Sequence, residues 1–402
     1  MSVEISEESK AQGSVHAVRV PFGANEIRLD WRQWLAVLVL VAAFIVLLPS
    51  VWLLWESIPF EKGFRVPYES SKDYWLYSKW LDYADSEDSI YLVGDSVVWG
   101  EYVSADGTLS AFLNEHSESE HEFVNAGVNG LFPLALEGLV THYGQRMTNR
   151  RVLLHCNLLW MTSPEADLSS EKEQRFNHPN LVAQFRPKIP CYRASYDERL
   201  GIAIRRSVPF FGFVGHLQNT YFDQKGLYQW TLADDGEYPP SYPNTYRLPW
   251  TAIDFAVSGE PENYPDRGLG SARHKAWSTT GEGTQQFDWV ALDRSLQWAA
   301  FQRLTQRLLS RGNDVLIVVG PLNRFIMAPE NQTLFDARVL EVTSWLAEQG
   351  VPSIVPEALP FDLYGDASHP LTAGYRLLAE RLWASPEFQR WLSKSEESAL
   401  VK

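Results

Sequence analysis

Residues Ser89–Gly100 read SIYLVGDSVVWG, a short apolar run that ends in Gly-Asp-Ser. A run of this length, without polar alternation and closed by glycine, predicts a strand buried on both faces. The form recurs at Glu122–Ala126 (EFVNA), Arg151–Cys156 (RVLLHC), Asp314–Val319 (DVLIVV) and Val351–Val355 (VPSIV). Helix-like spacing fills the intervals at Thr108–His116, Leu131–Arg146, Phe287–Ser310, Leu334–Gln349 and Leu371–Trp383. The clearest stripe is Trp289, Leu292, Leu296, Ala300, Leu304 and Leu308, stopped by Gly312. Strand and helix in alternation predict an α/β fold with a doubly wound, mostly parallel five-stranded sheet. Ligands of such sheets gather at the carboxyl ends of the strands, so the residues just after each run are the ones to inspect.

The chain has 402 residues, enough for one decorated domain or two smaller ones. With 45% hydrophobic and 13% aromatic residues it is neither disordered nor collagenous. A net charge of -15 disfavours nucleic acid as a partner. Two cysteines, Cys156 and Cys191, cannot build a disulfide framework or a four-thiolate zinc site, although one bridge stays open.

Trp34–Trp55 (WLAVLVLVAAFIVLLPSVWLLW) is 22 residues without a charge, which predicts one membrane-spanning helix with a kink at Pro49. Trp31, Trp34, Trp52 and Trp55 sit where indole rings prefer the headgroup level. A cleaved signal peptide would have a shorter apolar region ending at small residues. Arg28 and Arg32 on one side, against Glu56, Glu61, Lys62 and Arg65 on the other, give a slight bias toward a cytoplasmic N-terminus. The expected layout is a cytoplasmic tail (1–33), the span (34–55), a juxtamembrane connector (56–86), a domain at 87–388 that is periplasmic or extracellular, and a C-terminal tail (389–402). Between about 161 and 286 the periodicity collapses into Pro, Gly and aromatic residues, which predicts an inserted subdomain or cap.

Ser96 closes the first strand, and Asp366-Ala367-Ser368-His369-Pro370 precedes the last helix. A serine hydroxyl becomes a nucleophile only with a base in hydrogen-bond reach, and that base works best when a carboxylate fixes its tautomer. Ser96, His369 and Asp366 supply those three parts. An oxyanion also needs donors, and the ends of the next strands offer Gly130, in Asn125-Ala126-Gly127-Val128-Asn129-Gly130, and Asn157, beside the N-H of Ser96. Each has a bland reading as well: a capped turn for Ser96, an N-cap for Asp366, a surface imidazole for His369, a turn glycine for Gly130 and a loop cap for Asn157.

The sequence of blocks GDSxxxG, NAGVNG, a third-strand Asn and DxxH resembles the SGNH/GDSL hydrolase superfamily in order and rough spacing across residues 89–385. The resemblance implies a flavodoxin-like strand order, Ser96 as nucleophile, His369 as base, Asp366 as its carboxylate, and Ser96, Gly130 and Asn157 as oxyanion donors. The third block departs from the superfamily's usual Gly-x-Asn-Asp, reading His155-Cys156-Asn157-Leu158. The membrane-anchored layout is similar to the envelope branch of the superfamily, which includes proteins that move acetyl groups onto polysaccharides and DltD-like proteins of D-alanylation. The expectation is a serine esterase or O-acyltransferase without a cofactor, acting on acyl esters of a cell-envelope glycan, with a membrane acyl-donor partner. Two other readings stay open: a catalytically silent envelope protein that binds or assembles, and a lipid or thioester hydrolase with an apolar acyl tunnel.

Further candidates lie near this edge. Asn323 and Arg324 follow the fourth strand and Trp99 follows the nucleophile, so each is a candidate substrate contact. Tyr221, Phe222, Tyr228, Trp230, Tyr238, Tyr242, Tyr246 and Trp250 could stack on sugars or simply pack the insert. His155, His178, His216 and His274 show no zinc-binding spacing, so no metal is expected. Neither a phosphate-binding loop of the GxxxxGK[ST] type nor a strand-coupled GxGxxG is present, which leaves nucleotide use without support.

Overall fold

The computed structural model describes residues 29–117, 121–222, 224–231, 253–259 and 284–400, the last seven by backbone alone. The chain divides into two units, Met1–Trp52 and Leu53–Lys402. The first holds helix α1, Trp31–Trp52, which is long and apolar enough to cross a membrane. It begins three residues before the expected Trp34 because the Asp30 carboxylate accepts from the N-H groups of Arg32 and Gln33 and caps the first turn. Pro49 lies inside it.

The second unit is built on β1 (Ser89–Val93), β2 (Glu122–Asn125), β3 (Arg151–Cys156), β4 (Asp314–Val319) and β5 (Ser353–Ile354). Their order is β2-β1-β3-β4-β5 and every pairing is parallel. The crevice where this order reverses direction lies at the carboxyl ends of β1 and β3, where open sheets hold ligands. The strands read as unbroken apolar runs because both faces are covered. Tyr91, Val93, Val315, Ile317 and Val319 pack on one side and Ile90, Leu92, Leu316 and Val318 on the other. The first side is covered by α2 (Tyr74–Tyr83), α5 (Pro133–His142), α9 (Leu296–Ser310) and α10 (Pro329–Glu348). The other is covered by α4 (Leu109–Ser117), α11 (Thr372–Ala384) and α12 (Pro386–Leu400). α3 (Ser96–Trp99) is a single turn between β1 and α4.

Several boundaries differ from the sequence reading. β5 keeps only two residues of the expected Val351–Val355, as Pro352 cannot donate to a ladder. α9 begins at Leu296, where Ser295 caps it through Trp298 N, and the earlier part of the stripe forms a short turn at Leu292–Arg294. Residues 56–86 are no mere connector, since Arg65, Val66, Tyr77, Trp80 and Leu81 are buried in the domain. Nor is 389–402 simply a tail, because Trp391 and Leu392 of α12 close the second face. The stretch at 161–286 contains α6 (Tyr196–Ser207), α7 (Pro209–Tyr221) and α8 (Leu227–Thr231), while 232–252 and 260–283 lie outside the described residues. α6 starts with a capping box between Ser195 and Glu198. Leu168, Leu181, Val182, Ile189 and Cys191 of this stretch belong to the main core, so part of the insert is continuous with the domain. His216 of α7 is buried between Asp73 and Glu56, 2.7 Å from each, and ties that helix to the segment below α2.

Candidate active site

α3 is too short to satisfy its own backbone, and side chains from distant segments do so instead. Tyr375 donates to Val97 O at 2.7 Å, Asn125 to Val98 O at 3.0 Å, and Arg65 to Trp99 O and Gly100 O, both at 2.7 Å. Gly100 sits at φ +90°, where a Cβ would meet Thr108 Cγ2 at 2.5 Å and Arg65 Nη1 at 2.9 Å, so glycine is required to end the turn. At the other end the Asp95 carboxylate accepts from Val97 N at 3.0 Å and caps the turn. Ser96 is thus held at the carboxyl end of β1 with its own N-H at the open end of the turn.

There the Ser96 Oγ lies 2.7 Å from His369 Nε2. The Nδ1 of the same ring lies 2.7 Å from Asp366 Oδ2 and 2.8 Å from Oδ1. The structure therefore brings together the three residues singled out in sequence, although 273 positions separate Ser96 from His369. Burial works against the imidazolium, but Asp366 beside it outweighs this and His369 is raised above its ordinary value. Burial likewise opposes ionisation of Asp366, yet the neighbouring imidazole and the N-H groups of Ser368 and His369 bring it down to about 2. It stays a carboxylate across the neutral range.

Sequence reasoning missed three participants. Tyr102, at φ 70°, donates to Asp366 Oδ2 at 3.1 Å and sets its ring edge-on to His369, with centroids 5.3 Å apart. Glu101 Oε2 lies 4.0 Å from His369 Nε2 and accepts from Asn129 Nδ2 at 2.9 Å. Asp95 is a buried carboxylate that also takes hydrogen bonds from His155 Nδ1, Asn157 Nδ2 and Trp160 Nε1. Burial would raise its pKa, but these donors hold it far below the usual carboxylate range. The acid immediately before Ser96 was visible in the sequence; its partners, on β3 and the turn that follows it, were not.

The expected oxyanion donors fare differently. Gly130 sits at φ +73°, and a Cβ there would meet Asn177 Nδ2 at 2.6 Å. Among the described residues neither its N-H nor that of Ser96 is bonded to a protein acceptor. Asn157 spends one amide hydrogen on Asp95 Oδ2 at 2.8 Å, and its Oδ1 accepts from Leu159 N at 3.0 Å. The loop-cap role therefore accounts for most of its hydrogen bonding. Gly127 of the same block lies against α3, where a Cβ would come 2.5 Å from Trp99 N and 2.9 Å from Val98 C. Gly127→Ala is expected to displace α3 and to carry Ser96 Oγ out of hydrogen-bond reach of His369 Nε2, with the chain still folded. A structure of the variant with the Ser96–His369 link unchanged at 2.7 Å, together with an unchanged circular dichroism melt, would contradict this.

Two expected substrate contacts are corrected. Trp99 is 1% exposed, with its Nε1 on Val66 O at 2.7 Å and the Arg65 guanidinium 4.0 Å over its ring, so it belongs to the core. Asn323 is fully buried and holds the triad loop, as its Nδ2 donates to Asp366 O at 3.3 Å and its N-H to Ala367 O at 2.9 Å. Neither offers surface to a substrate. Arg324 pairs with Asp336 at 2.8 Å at the surface. Of the aromatic run in the insert, Phe222 and Trp230 pack edge to face, Tyr221 bonds to Glu56, Tyr228 is exposed, and Tyr238, Tyr242, Tyr246 and Trp250 lie outside the described residues. Cys156 and Cys191 are free, buried thiols. No cluster of three or more metal-ligating side chains occurs among the described residues. No protein-family model matches the sequence, and no curated protein matches it.

Proposed function

We propose that this chain is a membrane-anchored serine ester hydrolase or O-acyltransferase of the SGNH type, with its catalytic unit on the extracytoplasmic side and an envelope glycan as acyl donor or acceptor. The observation that carries the reading is the continuous hydrogen-bonded line from Ser96 Oγ through His369 to Asp366, with links of 2.7 Å. In this reading Ser96 Oγ attacks the ester carbonyl carbon while its proton passes to His369 Nε2. The tetrahedral oxyanion is met by the N-H groups of Ser96 and Gly130 and the remaining amide hydrogen of Asn157. Collapse expels the alcohol, which takes the proton from His369 and leaves an acyl-serine. Water or a sugar hydroxyl then gives its proton to His369 and attacks the acyl carbon; the acyl–Oγ bond breaks, Ser96 Oγ takes that proton back from His369, and an acid or a new ester leaves.

The surroundings support a small, polar substrate. A hollow of about 250 Å³ beside Gly130 is bordered by Phe132, Trp160 and Phe176 together with Gln174, Arg175 and Asn177. Flat rings mixed with donors and acceptors suit a sugar or a short acyl group better than a long alkyl chain. A silent binding protein has no need of an aligned Ser96, whereas the bond to His369 favours chemistry.

The test is a fluorophosphonate probe applied to the full-length protein in neutral detergent. Labelling is expected at Ser96 alone, absent from Ser96→Ala and strongly slowed in His369→Ala. With an acetyl ester as donor, a glycan oligosaccharide that diverts product from acetate to acetylated sugar would identify transfer. A folded wild-type protein that neither labels nor turns over would refute the proposal.

A further inference from the structure

The chain is strongly acidic overall, yet one face gathers cations. Three hollows of about 210, 460 and 600 Å³ adjoin one another there, since all three border Arg206 and neighbours share Tyr143 or His142. Their walls come from α2, the length of α5, α6, α7 and α9. Lys72, Arg186, Arg205, Arg206 and Arg307 line them without a carboxylate in ion-pair range among the described residues. The acids nearby are already engaged. Asp82 is shared by Lys79 and Arg146, Glu137 is held by Arg303, and Asp73 faces His216.

The site is also built. Arg206 Nη1 is fixed by donating to Leu181 O and Val182 O, each at 2.9 Å, which sets the guanidinium where the three hollows meet. His142 registers the local field: burial, then Arg206 and Arg307, push it down to about 4, so it stays neutral beside them. At the two ends Phe211 and Phe185 are 40% and 48% exposed and offer flat faces. The groove follows α5, which leads from just after the Gly130 loop to His142, along the helix from Leu134 to His142.

We propose that the groove binds an acidic polysaccharide chain, with carboxylates on the guanidiniums and sugar faces on Phe185 and Phe211. Concavity argues against a flat headgroup surface. A nucleic acid would bring a far denser charge, which the net charge of -15 over the rest of the chain repels. A polymer with at most one charge per ring meets spaced cations and exposed rings together. The proposal stands whether or not Ser96 is a nucleophile, and its role would be to hold a polymer beside the domain.

The experiment titrates full-length protein in neutral detergent with polygalacturonate oligosaccharides at low and raised salt, followed by calorimetry. Wild type is expected to bind, more weakly as salt rises, and to ignore neutral dextran. The variant Lys72→Gln/Arg205→Gln/Arg307→Gln changes only exposed side chains and is expected to lose about tenfold or more in affinity, with labelling of Ser96 unchanged. Arg206→Lys, which keeps the charge but not the planar fork, is expected to weaken binding as well. Absence of binding at low salt, or equal affinity in the triple variant, would overturn the proposal. So would tighter binding of polyuridylate, or capture of phosphatidylglycerol vesicles without capture of the soluble polymer.

Discussion

Ser96→Ala is expected to lower ester turnover by a factor on the order of 10⁴ or more, with the fold intact. The hydroxyl is held 2.7 Å from His369, so removing either partner removes the same step. His369→Ala should therefore cost a similar factor, and the double variant little more than either alone, because groups that act as a unit are not additive. Steady-state kinetics on a chromogenic acetyl ester gives all three numbers. Losses that multiply in the double variant would mean the two residues act separately. The same base sets the pH dependence. In the proposed mechanism His369 must be neutral to accept the proton, and its pKa is raised, so turnover should climb with pH through a midpoint above the ordinary 6.5. Asp366→Asn is expected to lower that midpoint and cost on the order of 10³ to 10⁴ in rate. An unshifted midpoint would separate Asp366 from the base.

Asp95→Ala is expected to cost about 4 kcal/mol or more in folding stability. It strips the acceptor from Val97 N, His155 Nδ1, Asn157 Nδ2 and Trp160 Nε1. Each buried donor left alone costs about 1–3 kcal/mol, and a helix cap is lost as well, so the sum is a large part of a typical 5–15 kcal/mol. The sign with pH follows from the depressed carboxyl. Its contribution is complete above the unfolded value near 3.9 and is lost as pH falls below that toward the folded value. Wild type should thus lose stability below about pH 4 more steeply than Asp95→Ala. Urea midpoints at pH 7 and pH 3 check both statements. A variant within 1 kcal/mol of wild type at pH 7 would mean water replaces the carboxylate.

The candidate triad was legible in the sequence because each part sits in a compact local signal. Ser96 closes an apolar run, and Asp366 and His369 are three apart before a helix. The groups that hold them were not legible. Arg65 comes from a stretch that carries no periodicity and reads as a connector, yet its guanidinium closes the carboxyl end of the turn that carries Ser96. Tyr102 acquires its role from a positive φ and from a loop that is 264 residues away in sequence. Trp99 was misread for the opposite reason, since adjacency to Ser96 in sequence places it on a turn buried on every side. In the insert, the Ser195–Glu198 capping box was a usable local sign of α6, hidden by the surrounding proline and aromatic residues.

By itself the sequence determined the alternation of strand and helix, hence the parallel sheet, the apolar helix near the N-terminus, and the identity of the candidate nucleophile, base and acid. Those follow from period, length and short-range spacing, which act along the chain. Only the tertiary structure decided which face each buried polar group serves: Asn323 on the Asp366 loop, Asn157 on Asp95, Trp99 in the core, and five cations outside any ion pair among the described residues along one side of an acidic protein. Such assignments depend on contacts between residues tens to hundreds of positions apart, and no local pattern encodes the distance at which a hydrogen bond or a charge begins to act.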